Sequence, residues 1–159
     1  MPVSQLLHSN PLGFLIVDVA RLFRQEFERI VVEAGIELTP GELRALAHVA
    51  RLEGSRQAVL ADRMGVEPMT LSAYLDRLEA RGLVTRATDP HDRRAKVVRT
   101  TEAASRIFEE TRPLAVAVYD RITSGFNDTE REQALDLLGR MRANLTSDPS
   151  ILGQTSEAA

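Results

Sequence analysis

A chain of 159 residues has room for one domain, or for one domain with a dimerising extension. Its 43% apolar content supports a core, but aromatics make up only 4% and tryptophan is absent, so Leu, Val, Ile and Ala must pack it. The lack of cysteine excludes disulfides, thiolate metal sites and thiol-based redox sensing, while the net charge of −3, taken alone, argues weakly against a nucleic-acid partner.

Residues 1–10 read as a loose arm. They carry neither a basic n-region nor a long apolar run, so no signal peptide is visible and the expected compartment is cytoplasmic. Leu12 to Ala20 is apolar, but Asp18 and Arg21 end that character far short of a membrane span. Asn10 as cap and Pro11 as first residue predict a helix to about Ala34, with Gly35 after its end. Its apolar positions, among them Leu12, Leu15, Val19, Phe23 and Phe27, make a stripe wider than one small core needs, which leaves part of it for another chain.

Thr39-Pro40-Gly41-Glu42 is a capping box opening a helix that carries Leu43, Leu46, Ala47 and Ala50 and ends near Gly54. Ser55 to Gly65 reads as a connection, a short helix and a glycine C-cap. The turn Gly65-Val66-Glu67 leads into a helix opened by Pro68, whose missing N–H would be unpaired in a first turn anyway. Leu71, Leu75 and Leu78 recur at spacings of four and three, so they share one apolar stripe. Gly82 suits the left-handed residue after the last turn. Two helices joined by a tight glycine-containing turn form a helix-turn-helix pattern.

A hairpin follows. Gly82 to Arg86 and Ala95 to Thr100 are short strand-like runs, and Asp89-Pro90-His91-Asp92-Arg93-Arg94 is a polar turn segment between them. Thr101 is the expected cap of the next helix, which runs to about Thr123. Pro113 inside it predicts a kink or a break. Asn127-Asp128-Thr129-Glu130 is a second capping box, and the helix after it carries Leu135, Leu138, Met141 and Leu145. Thr146 to Ala159 reads as a frayed tail.

Charge is unevenly spread. From Arg51 to Arg99 there are ten basic residues against seven acidic ones, whereas acids dominate on both sides of that segment. A locally basic stretch on an acidic body is compatible with DNA binding, because the local potential governs the encounter. All the basic residues except Lys96 are arginine. Arginine offers bidentate contacts to phosphate and guanine, although the same bias follows from a GC-rich coding sequence. A helix followed at once by an arginine-tipped hairpin is what a winged DNA reader needs: the helix fits a major groove, and the tip reaches phosphates or a narrow groove.

Three stretches carry a family resemblance: LTPGELRALAHVA (Leu38–Ala50), LADRMGVEPMTLSAYLDRLEARGLVTR (Leu60–Arg86) and DPHDRRAKVVRTTEAA (Asp89–Ala104). Together they resemble the multiple-antibiotic-resistance repressor (MarR) family of winged helix-turn-helix regulators. The resemblance implies a mainly α fold with a small β-hairpin wing and a helical dimerisation region. It divides the chain into an arm and dimerisation helix (1–36), a DNA-binding lobe (37–101), dimerisation helices (102–146) and a tail (147–159). It implies a homodimeric repressor on an inverted-repeat operator of double-stranded DNA, with recognition helices in successive major grooves roughly 34 Å apart.

Residue by residue, Pro68, Met69, Thr70, Ser72, Ala73 and Arg77 fall where the family's recognition helix faces DNA. Arg94 matches the wing arginine that enters the minor groove, and Asp92 matches the acid that orients it. Arg93 and Lys96 stand as phosphate contacts. For Arg77 and Arg81 the competing reading is an exposed helix face paired with Asp76 and Glu79. Ala73 stands where many members carry arginine, and Glu67 where a serine cap is common. Thr100 and Ala104 replace a usual leucine and glycine.

The family's common switch is a small aromatic or phenolic acid held between the dimerising helices and the reading lobe. Arg44, His48 and Arg51 share one helix face and could meet such an anion. Alternatively they are solvated, or pair with Glu33, Glu37 or another acid. His8, His48 and His91 are scattered, without metal-ligand spacing. No phosphate loop, nucleophile elbow or cofactor motif points to an enzyme. A helical protein-interaction adaptor without DNA binding is the remaining alternative, and it would lack the steep salt dependence of a DNA binder.

Overall fold

The computed structural model describes residues 11–148. The arm expected at 1–10 and nearly all of the tail lie outside them. The elements run α1 (Pro11–Glu33), α2 (Pro40–Arg51), β1 (Ser55–Arg56), α3 (Gln57–Met64), α4 (Pro68–Ala80), β2 (Val84–Asp89), β3 (Asp92–Thr100), α5 (Ala104–Ile122) and α6 (Asp128–Leu145). Packing divides the chain into two units, Met1–Val118 and Tyr119–Ala159.

In the first unit α2, α3 and α4 pack on one another and against the hairpin. Leu46, Leu60, Leu71, Leu75, Leu78 and Val98 are fully buried there. Each such leucine contributes roughly 1.5–3 kcal/mol relative to an exposed one. The leucine stripe of α4 therefore fixes which face of that helix turns inward, and by exclusion which face turns out.

Local chemistry sets the boundaries. The Thr39 hydroxyl accepts the Glu42 N–H at 3.3 Å, and the Glu42 carboxylate accepts the Thr39 N–H at 3.0 Å. Gly65 ends α3 at φ +62°, and the Val66 N–H closes the turn onto the Ala61 carbonyl at 3.1 Å. Gly82 takes φ +69°, so the Leu83 N–H reaches the Leu78 carbonyl at 2.9 Å. Both positions need the left-handed backbone that glycine adopts without steric cost.

The sheet is antiparallel with order β1-β3-β2, pairing Ser55 with Val98 on one side of β3 and Val84 with Thr100 on the other. Four boundaries differ from expectation. First, α2 stops at Arg51 rather than near Gly54, and β1 follows instead of a plain connection. A two-residue strand has no periodicity of its own and exists only because β3 pairs with it. Second, the hairpin is longer than its β-branched runs: Asp92, Arg93 and Arg94 belong to β3, and only Pro90 and His91 lie between the strands. The buried Asp89 closes that turn by accepting the His91 N–H at 2.8 Å and the Arg56 Nε–H at 2.6 Å.

Third, Thr101 does not cap α5 with its side chain. Its hydroxyl donates to the Gly82 carbonyl at 2.6 Å, and its own carbonyl accepts the Ala104 N–H at 3.1 Å. Fourth, α5 continues through Pro113, so of the kink or break expected there the break does not occur. A proline there forfeits one in-helix bond, to the Glu109 carbonyl, and the rest of the ladder continues.

The second unit holds the end of α5 and α6. Asn127 and Glu130 exchange side-chain and backbone bonds at 2.9 Å, the second capping box. Arg131 stacks over the Tyr119 ring at 5.8 Å and faces Asp120 at 3.7 Å. Leu135, Leu137 and Leu138 of α6 stay exposed, as do Phe14, Leu15 and Val17 of α1. Among the described residues no helix is long and apolar enough to cross a membrane.

Candidate nucleic-acid interface

With Leu71, Leu75 and Leu78 turned inward, the outer surface of α4 carries Pro68, Met69 and Thr70, all exposed, with Ser72 and Ala73 half-buried beside them. Met69 is 86% exposed. Glu67 precedes α4 in the cap position but makes no side-chain cap bond. Its carboxylate still sits at the positive end of the helix dipole.

The wing presents its charges in a defined way. Arg93 and Arg94 are exposed on β3, and neither guanidinium has a hydrogen-bond or ion-pair partner among the described residues. Asp92 does not grip the Arg94 guanidinium. Its carboxylate accepts the Arg94 backbone N–H at 3.0 Å and faces Arg56 at 3.7 Å, so any orienting of Arg94 acts through the main chain. Lys96 donates from Nζ to the Thr88 hydroxyl at 3.2 Å, across the hairpin.

The competing expectation for Arg77 and Arg81 does not hold. Asp76 and Glu79 are both taken by Arg86 of β2, each at 2.6 Å. Helix-face spacing cannot anticipate a partner arriving from the next strand. The Arg86 hydrogen bond holds the Glu79 carboxyl below its usual range, ahead of the opposing effect of burial. Arg77 instead donates from Nε to Glu42 of α2 and stacks over Tyr74 at 5.5 Å. Arg81 lies 3.8 Å from Glu37. The acids of α4 are thus neutralised locally, and Arg93 and Arg94 of the wing pair with no carboxylate among the described residues.

Arg56 was missed by sequence reasoning. It precedes α3 and ties that helix to the wing through Asp89 at 2.6 Å. The Asp89 carboxyl is held below its usual value by the His91 N–H and then by Arg56. Only a sequence separation of 33 residues links the pair, which no local pattern reveals.

Arg44, His48 and Arg51 do gather on α2, and Arg63 of α3 joins them. His48 is half-buried; burial lowers its pKa, and Arg51, Arg44 and Arg63 lower it further. The Arg44 Nε is buried without a hydrogen-bond partner. Neither Arg44 nor Arg51 has an ion-pair partner among the described residues, and Arg51 is exposed to solvent; Glu33 pairs with Arg29 at 2.5 Å and Glu37 lies 3.8 Å from Arg81. Among the described residues no group of three His, Asp or Glu side chains could hold a metal ion.

A helix-turn-helix whose second helix runs straight into an arginine-bearing antiparallel hairpin defines the winged-helix class of regulator. The MarR family model matches residues 36–95. A MarR-family transcriptional regulator from Rhodococcus sp. RHA1 is 30% identical over 84% of this chain and 93% of its own, with a TM-score of 0.69. One from Silicibacter pomeroyi is 26% identical over 94% and 99%, with a TM-score of 0.74. Wild-type MarR from E. coli, in its apo form, shares the fold at 23% identity over 82% and 96%, with a TM-score of 0.70. The chain belongs to the MarR family of transcriptional regulators.

Proposed function

We propose that two copies of this chain bind an inverted-repeat operator, each laying α4 in a major groove and its wing on the flanking backbone, and that a small aromatic or phenolic acid releases them. The observation that carries this reading is the outward face of α4 beside the two unpaired wing arginines. Thr70 and Ser72 donate to bases or phosphates, and Met69 meets a thymine methyl group beside Pro68 and Ala73. Arg94 enters the minor groove, where a narrow groove strengthens the attraction for arginine. Arg93, Lys96 and Arg77 serve phosphates, and Asp92 stiffens the strand beneath Arg94.

Dimerisation is supported by apolar surface that neither unit covers for itself. Phe14 and Val17 of α1 are 60% and 67% exposed, and Leu135 and Leu138 of α6 are each 58% exposed. Apolar exposure of this kind on each of the two helices is what an interface with another chain would cover. Residues 1–36 and 102–146 are the proposed dimerising parts and 37–101 the reading lobe.

Arg44, His48 and Arg51, with Arg63, are the proposed seat for the carboxylate of the effector. The deciding experiment selects duplexes from a random double-stranded library with purified protein. An enriched inverted repeat, bound with a steep fall in affinity between 50 and 200 mM salt, supports the reading. No enrichment, or a flat salt dependence, removes it and leaves a protein-binding adaptor. For the effector, binding of a hydroxybenzoate should tighten as pH falls, because a bound anion raises the His48 pKa and so takes up a proton. Calorimetry at pH 6 and pH 8 measures that shift.

A further inference from the structure

Glu42 is more buried than a capping carboxylate needs to be. An exposed Glu or Gln at this position completes the box equally well. Here the residue is 3% exposed, and a buried carboxylate is costly unless an opposite charge reaches it. The charge that reaches it is Arg77, arriving from α4 and donating from Nε. Burial would push the Glu42 carboxyl up, yet the Thr39 N–H and Arg77 together hold it below its usual value.

Two more contacts fix the same corner. The Arg77 guanidinium lies over the Tyr74 ring at 5.5 Å. That ring in turn occupies the space above Gly41, where an added Cβ would stand 2.5 Å from the Tyr74 hydroxyl. The first turn of α2 is therefore shaped to receive the Tyr74–Arg77 edge of α4. Because Nε is the donor used, neither Nη group of Arg77 has a hydrogen-bond partner among the described residues, on a side chain that is 52% exposed. Arg77 lies two helical turns beyond Thr70, on the same side of α4.

We infer that Glu42 is a positioning residue for DNA reading: it grips Arg77 at Nε, fixes α4 against the first turn of α2, and holds the two Nη groups outward to meet a DNA phosphate. The inference rests on the reading of α4 as the DNA-facing helix. Glu42 itself touches no nucleic acid in this arrangement, and its effect passes entirely through Arg77. A guanidinium fixed at one edge loses less rotational freedom when its other edge binds.

The test measures affinity and salt slope on the selected duplex and on a scrambled duplex of the same composition. Arg77→Ala should lower affinity and reduce the salt slope by about one per subunit. Glu42→Gln keeps the cap but loses the charge; its affinity for the selected duplex should fall about tenfold while its thermal midpoint stays within a few degrees of wild type. The double variant should bind no more weakly than Arg77→Ala alone. Arg77→Lys keeps the charge without the Nε grip, so affinity should fall with the slope unchanged; this variant decides the matter if Glu42→Gln does not fold.

Unchanged or stronger binding by Glu42→Gln, additive losses in the double variant, or an Arg77→Ala loss without a change in slope would each overturn the inference while leaving the DNA reading intact. Failure of the wild-type protein to prefer any selected duplex over the scrambled one would overturn both.

Discussion

His48 sits among Arg44, Arg51 and Arg63, and its burial and these neighbours lower its pKa from the usual 6.5. The folded state therefore binds a proton less readily than the unfolded chain. Above pH 6.5 the residue is neutral in both states and contributes nothing. As pH falls below that value the unfolded chain takes up the proton first, so stability is lost until the folded pKa is passed. Urea denaturation of wild type at pH 7.5 and 5.5 should show this loss, and His48→Gln should flatten the profile in that interval. An unchanged slope for His48→Gln would mean that other groups govern it. Arg94→Ala concerns a side chain with no partner among the described residues, so it should weaken operator binding without moving the thermal midpoint. Arg56 was unforeseen for the same reason that Arg77 and Arg86 found unexpected partners. Ion pairs between elements answer to tertiary distance, and sequence spacing describes only pairs within one helix.

At the scale of elements, α4 is held by its leucine stripe and by the turns that flank it. Leu75→Ala removes a side chain with no exposed surface and should cost about 2–5 kcal/mol, read from the denaturation midpoint. Gly82→Ala meets no atom within 4 Å, so its cost is conformational only, about 1 kcal/mol for an alanine forced to φ +69°. The helices were legible because each has apolar positions at helical spacing, and α3 and α4 are followed by glycines in the left-handed conformation. Thr39 and Asn127 both cap as their spacing to Glu42 and Glu130 requires. The hairpin was legible only in part. Its β-branched segments were recognised, but Asp92, Arg93 and Arg94 are polar and carry no strand signal. Their pairing is imposed by β2 and by the turn that Asp89 closes.

For the whole molecule, the apolar surfaces of α1 and α6 set the expected behaviour. Leu138→Glu places a charge on an exposed apolar position of α6, where the isolated chain tolerates it. In a dimer joined through that surface the charge is buried without a partner, at a cost of about 1–3 kcal/mol or more per subunit. Sedimentation should show the wild type as a dimer and Leu138→Glu shifted towards monomer, with the salt slope on a two-half-site duplex falling by about half. A wild-type monomer, or an unshifted variant, would remove α6 from the interface.

What the amino-acid order determined by itself was local. It set the helix starts, the glycine stops, the inward stripe of α4 and the presence of arginines at the wing, all properties that act within a few residues. Three matters were left to tertiary structure: which acid each arginine meets, that a two-residue segment at Ser55 becomes a strand, and that a capping glutamate is buried. Each depends on two segments far apart in the chain arriving at one place, and only the packed core brings them there.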